Sequence, residues 1–267
     1  MTAIPSTASD IDTIWFLVFF GTLAAATFVA AIVHGRRIGD VVPVAVCVGA
    51  LVCALNEPIY DELGMITYAD EATRAFTAFG RDIPLFLVVG YVPWVAGISY
   101  VVARLIAGGA TRGRLHLIAL GSFLSVVAVE TAGTSVGSWT YYGEAPLKYL
   151  GVAPMMAPVP IVCGTLIYLL GTVLEGRRRL LIGIVPVFSL PAVYAAAGMP
   201  MYVALHGETA KGVQYLAGVA TLLFCAVVVV AATLIAERWR EGELGGTRSA
   251  AREAAPPERA RVPAGAA

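Results

Sequence analysis

Two stretches of this chain carry an acid, a glycine and a Thr-Tyr pair at the same spacing. Glu57, Gly64, Thr67 and Tyr68 fit E-x6-G-x2-T-Y, and so do Glu130, Gly137, Thr140 and Tyr141. Each acid closes a long apolar run. A carboxylate at such a place is costly to insert into lipid and marks a functional position by default. A carboxyl group deprived of water favours its neutral form, and a neutral acid can donate a proton. The expected chemistry is therefore proton donation into a shared apolar cavity, with Glu57 as leading donor. Asp61, four residues on, shares a face with Glu57 if the helix continues past Pro58. Asp61 and Glu130 are the candidate partners or terminating bases. The plainer reading of Asp61, Glu62, Asp70 and Glu71 is as solvated loop charges, and a structural ion pair of Glu57 or Asp82 with Arg81 is the competing reading for those acids.

Aromatic residues gather in the same regions: Tyr60, Tyr68, Tyr91, Trp94, Trp139, Tyr141, Tyr142, Tyr194 and Tyr202. Trp and Tyr collect at membrane interfaces in any case, yet an aromatic face also attracts a cation. Neutral acids beside such rings suit carbocation chemistry on an isoprenoid. Asn56, Tyr60, Asp82, Trp94, Trp139, Tyr141, Tyr142 and Tyr202 are the expected substrate-binding set.

The elements that must position these groups are membrane helices. Of the 267 residues, 58% are hydrophobic and only 13% charged, about half the charged share of a soluble domain. Seven runs reach the roughly 20 residues that a bilayer core requires: Ile14–Val33, Val41–Tyr60, Ile83–Ile106, Leu115–Val136, Ala153–Leu174, Leu180–Leu205 and Val213–Ala236. The expected fold is all-α, a polytopic seven-helix domain over 14–239. Fourteen of the eighteen Lys and Arg residues lie in the connectors after spans one, three and five and in the C-terminal tail. By the positive-inside rule the N-terminus is outside and the C-terminus cytoplasmic. Residues 1–13 lack Lys and Arg, so span one reads as a retained anchor rather than a cleaved signal. The tail, 240–267, has the composition of a disordered segment.

Other residues narrow the function. Cys47, Cys53, Cys163 and Cys225 all fall inside spans without a CxxC pair and read as core fillers, with no metal or cofactor implied. Prolines crowd spans five and six (Pro154, Pro158, Pro160, Pro186, Pro191, Pro200), where broken helices survive only against protein or a cavity. No Lys occupies Val213–Ala236, which excludes a retinal Schiff base there, and no phosphate-binding or nucleophile-elbow motif is present. Nothing points to nucleic acid, and the oligomeric state is open.

Asn56-Glu57 at the end of the second of seven spans resembles the membrane-bound terpene cyclases of meroterpenoid and indole-terpenoid pathways. The resemblance implies an early acid that starts cyclisation; the nearest counterpart of their late acid is Glu208. Gly137-Ser138-Trp139-Thr140-Tyr141-Tyr142 followed by Leu150-Gly151-Val152-Ala153-Pro154 is similar to the carotenoid hydratase and membrane lycopene cyclase families, without the cyclases' Pro-Glu-Glu signature. Both resemblances imply proton-initiated isoprenoid chemistry in a multi-pass protein of the cell membrane. Internal repeats and broken helices suit a small-solute transporter or a structural membrane protein as well.

Overall fold

The computed structural model describes residues 4–143, 150–207 and 209–244. It is 75% helical. Among the described residues seven helices are long and apolar enough to cross a membrane: α1 (Ile14–Ile38), α2 (Val42–Gly64), α3 (Leu85–Ala107), α4 (Arg112–Ser135), α5 (Ala153–Val173), α6 (Gly176–His206) and α7 (Lys211–Arg240). Large apolar side chains such as Trp15, Phe19, Leu117, Phe188 and Leu216 stand on the outside of the bundle. Water-soluble monomers rarely expose such continuous apolar surface. The expected tail over 240–267 falls, after Leu244, outside the described residues; Glu208 does too.

Several helices are broken where the sequence demands it. In α2 the α-helical turns stop at Cys53, a 3-10 turn covers Ala54–Asn56, and α-helix resumes at Glu57–Gly64. Pro58 has no N–H to give to the Ala54 carbonyl. The Glu57 N–H takes that carbonyl instead, and the Asn56 amide donates to the Cys53 carbonyl at 3.1 Å. The helix thus continues beyond Pro58 and carries both Glu57 and Asp61 into the interior, 5% and 1% exposed. A π-helical stretch, Val92–Ile98, interrupts α3 at Pro93. The first turns of α6 are 3-10 (Gly176–Ile184), and Pro191 and Pro200 sit inside its α-helical part. By contrast α4 is continuous, opened by the Thr111 hydroxyl accepting from the Arg114 N–H at 3.4 Å.

One end of the bundle departs from the all-helical expectation. Among the described residues four short strands form there: β1 (Ile66–Tyr68), β2 (Arg74–Ala78), β3 (Arg81–Pro84) and β4 (Trp139–Tyr141). Ile83, expected in span three, belongs to β3, because Pro84 begins the helix from extended backbone. Strands β2 and β3 make a hairpin whose two-residue turn, Phe79-Gly80, has positive φ at both positions, the geometry that matches strand twist. Strands β1 and β4 pair antiparallel with Thr67 opposite Thr140, Ile66 opposite Tyr141 and Tyr68 opposite Trp139. The N-terminal segment straps this ribbon: the Thr7 hydroxyl donates to the Tyr68 carbonyl at 3.0 Å, and the Asp10 N–H to the Val136 carbonyl at 2.7 Å.

Candidate active site

The two copies of the repeated phrase meet at their Thr-Tyr pairs. Local pseudo-symmetry follows from that pairing, since Thr67 and Thr140 are partners in the ribbon. Each copy then folds back on its own acid. The Tyr68 hydroxyl donates to Glu57 Oε1 at 3.0 Å, and the Tyr141 hydroxyl to Glu130 Oε2 at 2.8 Å. The helical acid and the strand tyrosine are eleven residues apart in both copies.

Glu57 and Glu130 line a single cavity of about 190 Å³. Its wall is drawn from α1 (Phe20), α2 (Glu57, Tyr60), the β1–β4 ribbon (Tyr68, Trp139, Tyr141), α3 (Phe86, Tyr91, Trp94), α4 (Val126, Val129, Glu130), α5 (Met156) and α6 (Tyr194). No Lys, Arg or His is among its described lining residues. Glu57 Oε2 accepts from the Tyr91 hydroxyl, so both of its oxygens face phenols. Glu130 Oε2 accepts a second bond, from the Trp139 indole N–H at 3.0 Å. Burial, then the Glu130 carboxyl beside it, pushes the Tyr141 phenol well above its ordinary value. Burial, followed by Asp61 and Glu57, does the same to Tyr68. Both phenols therefore keep their protons and serve as donors. Around them Trp139 and Phe86 lie 6.1 Å apart between centroids, and Tyr60 and Tyr194 4.6 Å.

The basic residues near this end are engaged elsewhere. Arg81 is buried, yet its guanidinium pairs with Glu62 at 2.6 Å and donates to the Ile66 carbonyl and the Tyr142 hydroxyl, each at 2.8 Å. Asp82 is exposed and pairs with Arg74 at 3.2 Å. The Thr77 hydroxyl bond first, then Arg74, lowers the Asp82 carboxyl below its ordinary value. Neither Glu57 nor Asp82 is bridged to Arg81.

The expected residues therefore divide. Glu57, Tyr60, Trp94, Glu130, Trp139 and Tyr141 line the cavity. Asn56 repairs its own helix, Tyr142 accepts from Arg81, and Tyr202 stacks on Tyr194 in the core at 5.4 Å. Asp61 and Asp82 line a different, polar cavity beside the ribbon, as described below. Asp61 is thus no solvated loop charge. Glu62, Asp70 and Glu71 are held by Arg81, Ser6 and the Ser9 N–H in turn.

Three contributors carried little warning. Tyr68 and Tyr91 hold Glu57; Tyr68 had a signal as a member of the repeat, Tyr91 only as one of the aromatic residues gathered there. Gly151 is the third. It has φ +53°, and a side chain there would stand 2.7 Å from both Glu130 Oε2 and the Tyr141 hydroxyl. Among the described residues no group of three or more His, Cys, Asp or Glu is arranged to hold a metal ion. Comparison with protein-family models, curated proteins and solved structures returned no match.

Proposed function

We propose that this chain is an integral membrane enzyme that protonates an isoprenoid double bond or epoxide and guides the resulting carbocation through cyclisation. One observation carries the reading: two buried acids, neither paired with a base among the described residues, share one small cavity walled by aromatic rings. Glu57 delivers the proton. The rings of Phe86, Trp94 and Trp139 stabilise positive charge by their π-faces. Glu130, held in place by Trp139 and Tyr141, is the candidate base that ends the reaction.

The cavity is smaller than the roughly 300–1,000 Å³ of sites that enclose a whole drug-sized ligand. That size suits the reacting end of a long lipid whose remainder stays between helices. The cavity wall includes α1 and α4, the least buried of the seven helices, which makes their side the route in from the bilayer. The arginine-rich connectors favour an orientation with the ribbon end outside the cytoplasm. Hydration in place of cyclisation is the second reading, favoured by a polar cavity only one tyrosine away.

Expression in a host that accumulates several prenylated precursors, followed by profiling of the lipid extract, tests the class of reaction. Glu57→Gln is expected to lose product by roughly a hundredfold or more, the scale of a positioned general acid, while remaining inserted and folded. Undiminished product from that variant would overturn the role of Glu57.

A further inference from the structure

Tyr68 stands in the wall between two cavities. On one side is the aromatic chamber with Glu57 and Glu130. On the other is a polar vestibule of about 570 Å³, lined by Asp61, Thr67, Asp70, Arg81, Asp82 and the N-terminal strap. The Tyr68 hydroxyl lies 3.0 Å from Glu57 Oε1 and 3.0 Å from Asp61 Oδ1. A phenol has one proton to donate and an oxygen that accepts. With both contacts at full hydrogen-bond distance, one is made by the phenol proton and the other is completed by a proton belonging to an acid. Asp61 is 1% exposed, and among the described residues its buried Oδ2 has no hydrogen-bond partner. A carboxyl oxygen left bare in this way is costly, and water in the vestibule that Asp61 lines can both satisfy it and carry a proton to it.

The second copy of the repeat lacks this connection. Where Asp61 follows Glu57 by four residues, Thr134 follows Glu130, and the Thr134 hydroxyl is spent on the Glu130 carbonyl of its own helix at 2.6 Å. Among the described residues Glu130 Oε2 bonds only Trp139 and Tyr141, and Glu130 does not line the vestibule.

From this asymmetry we infer that Asp61 and Tyr68 form a proton relay that reloads Glu57 from the polar vestibule, leaving Glu130 outside the relay. The inference rests on Glu57 being the proton donor. After Glu57 gives its proton to substrate, its carboxylate takes the Tyr68 phenol proton as Tyr68 takes the Asp61 proton. Asp61 is then reprotonated by vestibule water. One proton enters and one leaves the relay, so no phenolate accumulates. Asp61 and Tyr68 are positioning residues that act through Glu57. The charged or titratable groups facing them are Glu57, Tyr91 and Arg81, with Glu62 across Arg81.

The test needs no substrate. Purified protein in lipid nanodiscs is moved from H2O to D2O, and the infrared carbonyl bands of its protonated carboxyl groups are followed in time. Glu57→Gln and Glu130→Gln assign the bands by subtraction. Asp61→Asn and, separately, Tyr68→Phe are expected to slow deuteration of the Glu57 band by roughly a hundredfold, the scale of a positioned proton-transfer group. The carboxylate band of Glu130, assigned by the same subtraction, is expected to keep its wild-type position in both variants, which also reports an intact fold. Unchanged Glu57 exchange in either variant overturns the relay and leaves the proposed reaction standing. Absence of any Glu57 band in the unsubstituted protein overturns the relay and the proposed donor together.

Discussion

Glu130 and Glu57 are the same residue type at the same place in a repeated phrase, yet their surroundings give them different capacities. Two phenols and a neighbouring acid surround Glu57, whereas an indole and a phenol converge on one oxygen of Glu130. The pocket around Glu130 depends on Gly151, whose positive φ and lack of a side chain let the backbone pass against the carboxyl group. Gly151→Ala forces a left-handed conformation that costs about 1–2 kcal/mol and drives a methyl group onto Glu130. It is expected to lower the unfolding temperature and product yield together, whereas Glu130→Gln lowers yield at nearly wild-type stability. Equal thermal stability of Gly151→Ala and the unsubstituted protein in detergent would contradict this crowding.

Among the helices, α2 and α6 approach through glycines. A Cβ on Gly49 would collide with the Gly183 carbonyl, and one on Gly183 would sit 2.7 Å from the Ala45 carbonyl oxygen. Small residues at such crossings let helices pack without a hydrophobic driving force. Gly49→Ala is expected to push α2 off α6 and destabilise by about 1–3 kcal/mol, measured as a fall in unfolding temperature in detergent. The opposite end of α2 is fixed by Asp40, in the α1–α2 connector, which pairs with Arg179 at 2.5 Å. Burial acts to raise the Asp40 carboxyl, but the bonds from Arg179 and the Val42 N–H and the charge of Arg179 outweigh it, so the group ends below its ordinary value. A depressed folded-state value stabilises above the unfolded value of about 3.9 and loses that contribution as pH falls through the folded value. Asp40→Asn is thus expected to cost about 1–2 kcal/mol at neutral pH. Unfolding midpoints of the two proteins should converge as pH drops below about 4.

Taken whole, the molecule separates its chemistry by end. The cavity acids, the strands and the aromatic cavity occupy one end, and the arginine connectors, with Asp40 and Glu237 paired to them, occupy the other. The four cysteines are buried, so single introduced thiols can report which end faces which side. Phe79→Cys, at the exposed tip of the β2–β3 hairpin, is expected to react with an impermeant maleimide on intact cells. Ala107→Cys, at the far end of α3, should react only after the membrane is opened. The reverse pattern would invert the proposed orientation.

Helix number and the two acids were legible from residue order alone, because insertion into lipid demands long apolar runs and makes any retained carboxylate conspicuous. The repeat was legible as well, down to the tyrosines that later prove to hold the acids. Pairing of Thr67 with Thr140 was not. It joins segments 73 residues apart in sequence, and no local propensity specifies which ribbon a three-residue strand will find. Nor could composition tell that Asp82 would turn outward to Arg74 while Asp61, on a helix carried past Pro58, would turn inward. Those outcomes depend on which groups the packed helices leave with water and which they enclose, and only the tertiary structure decides that.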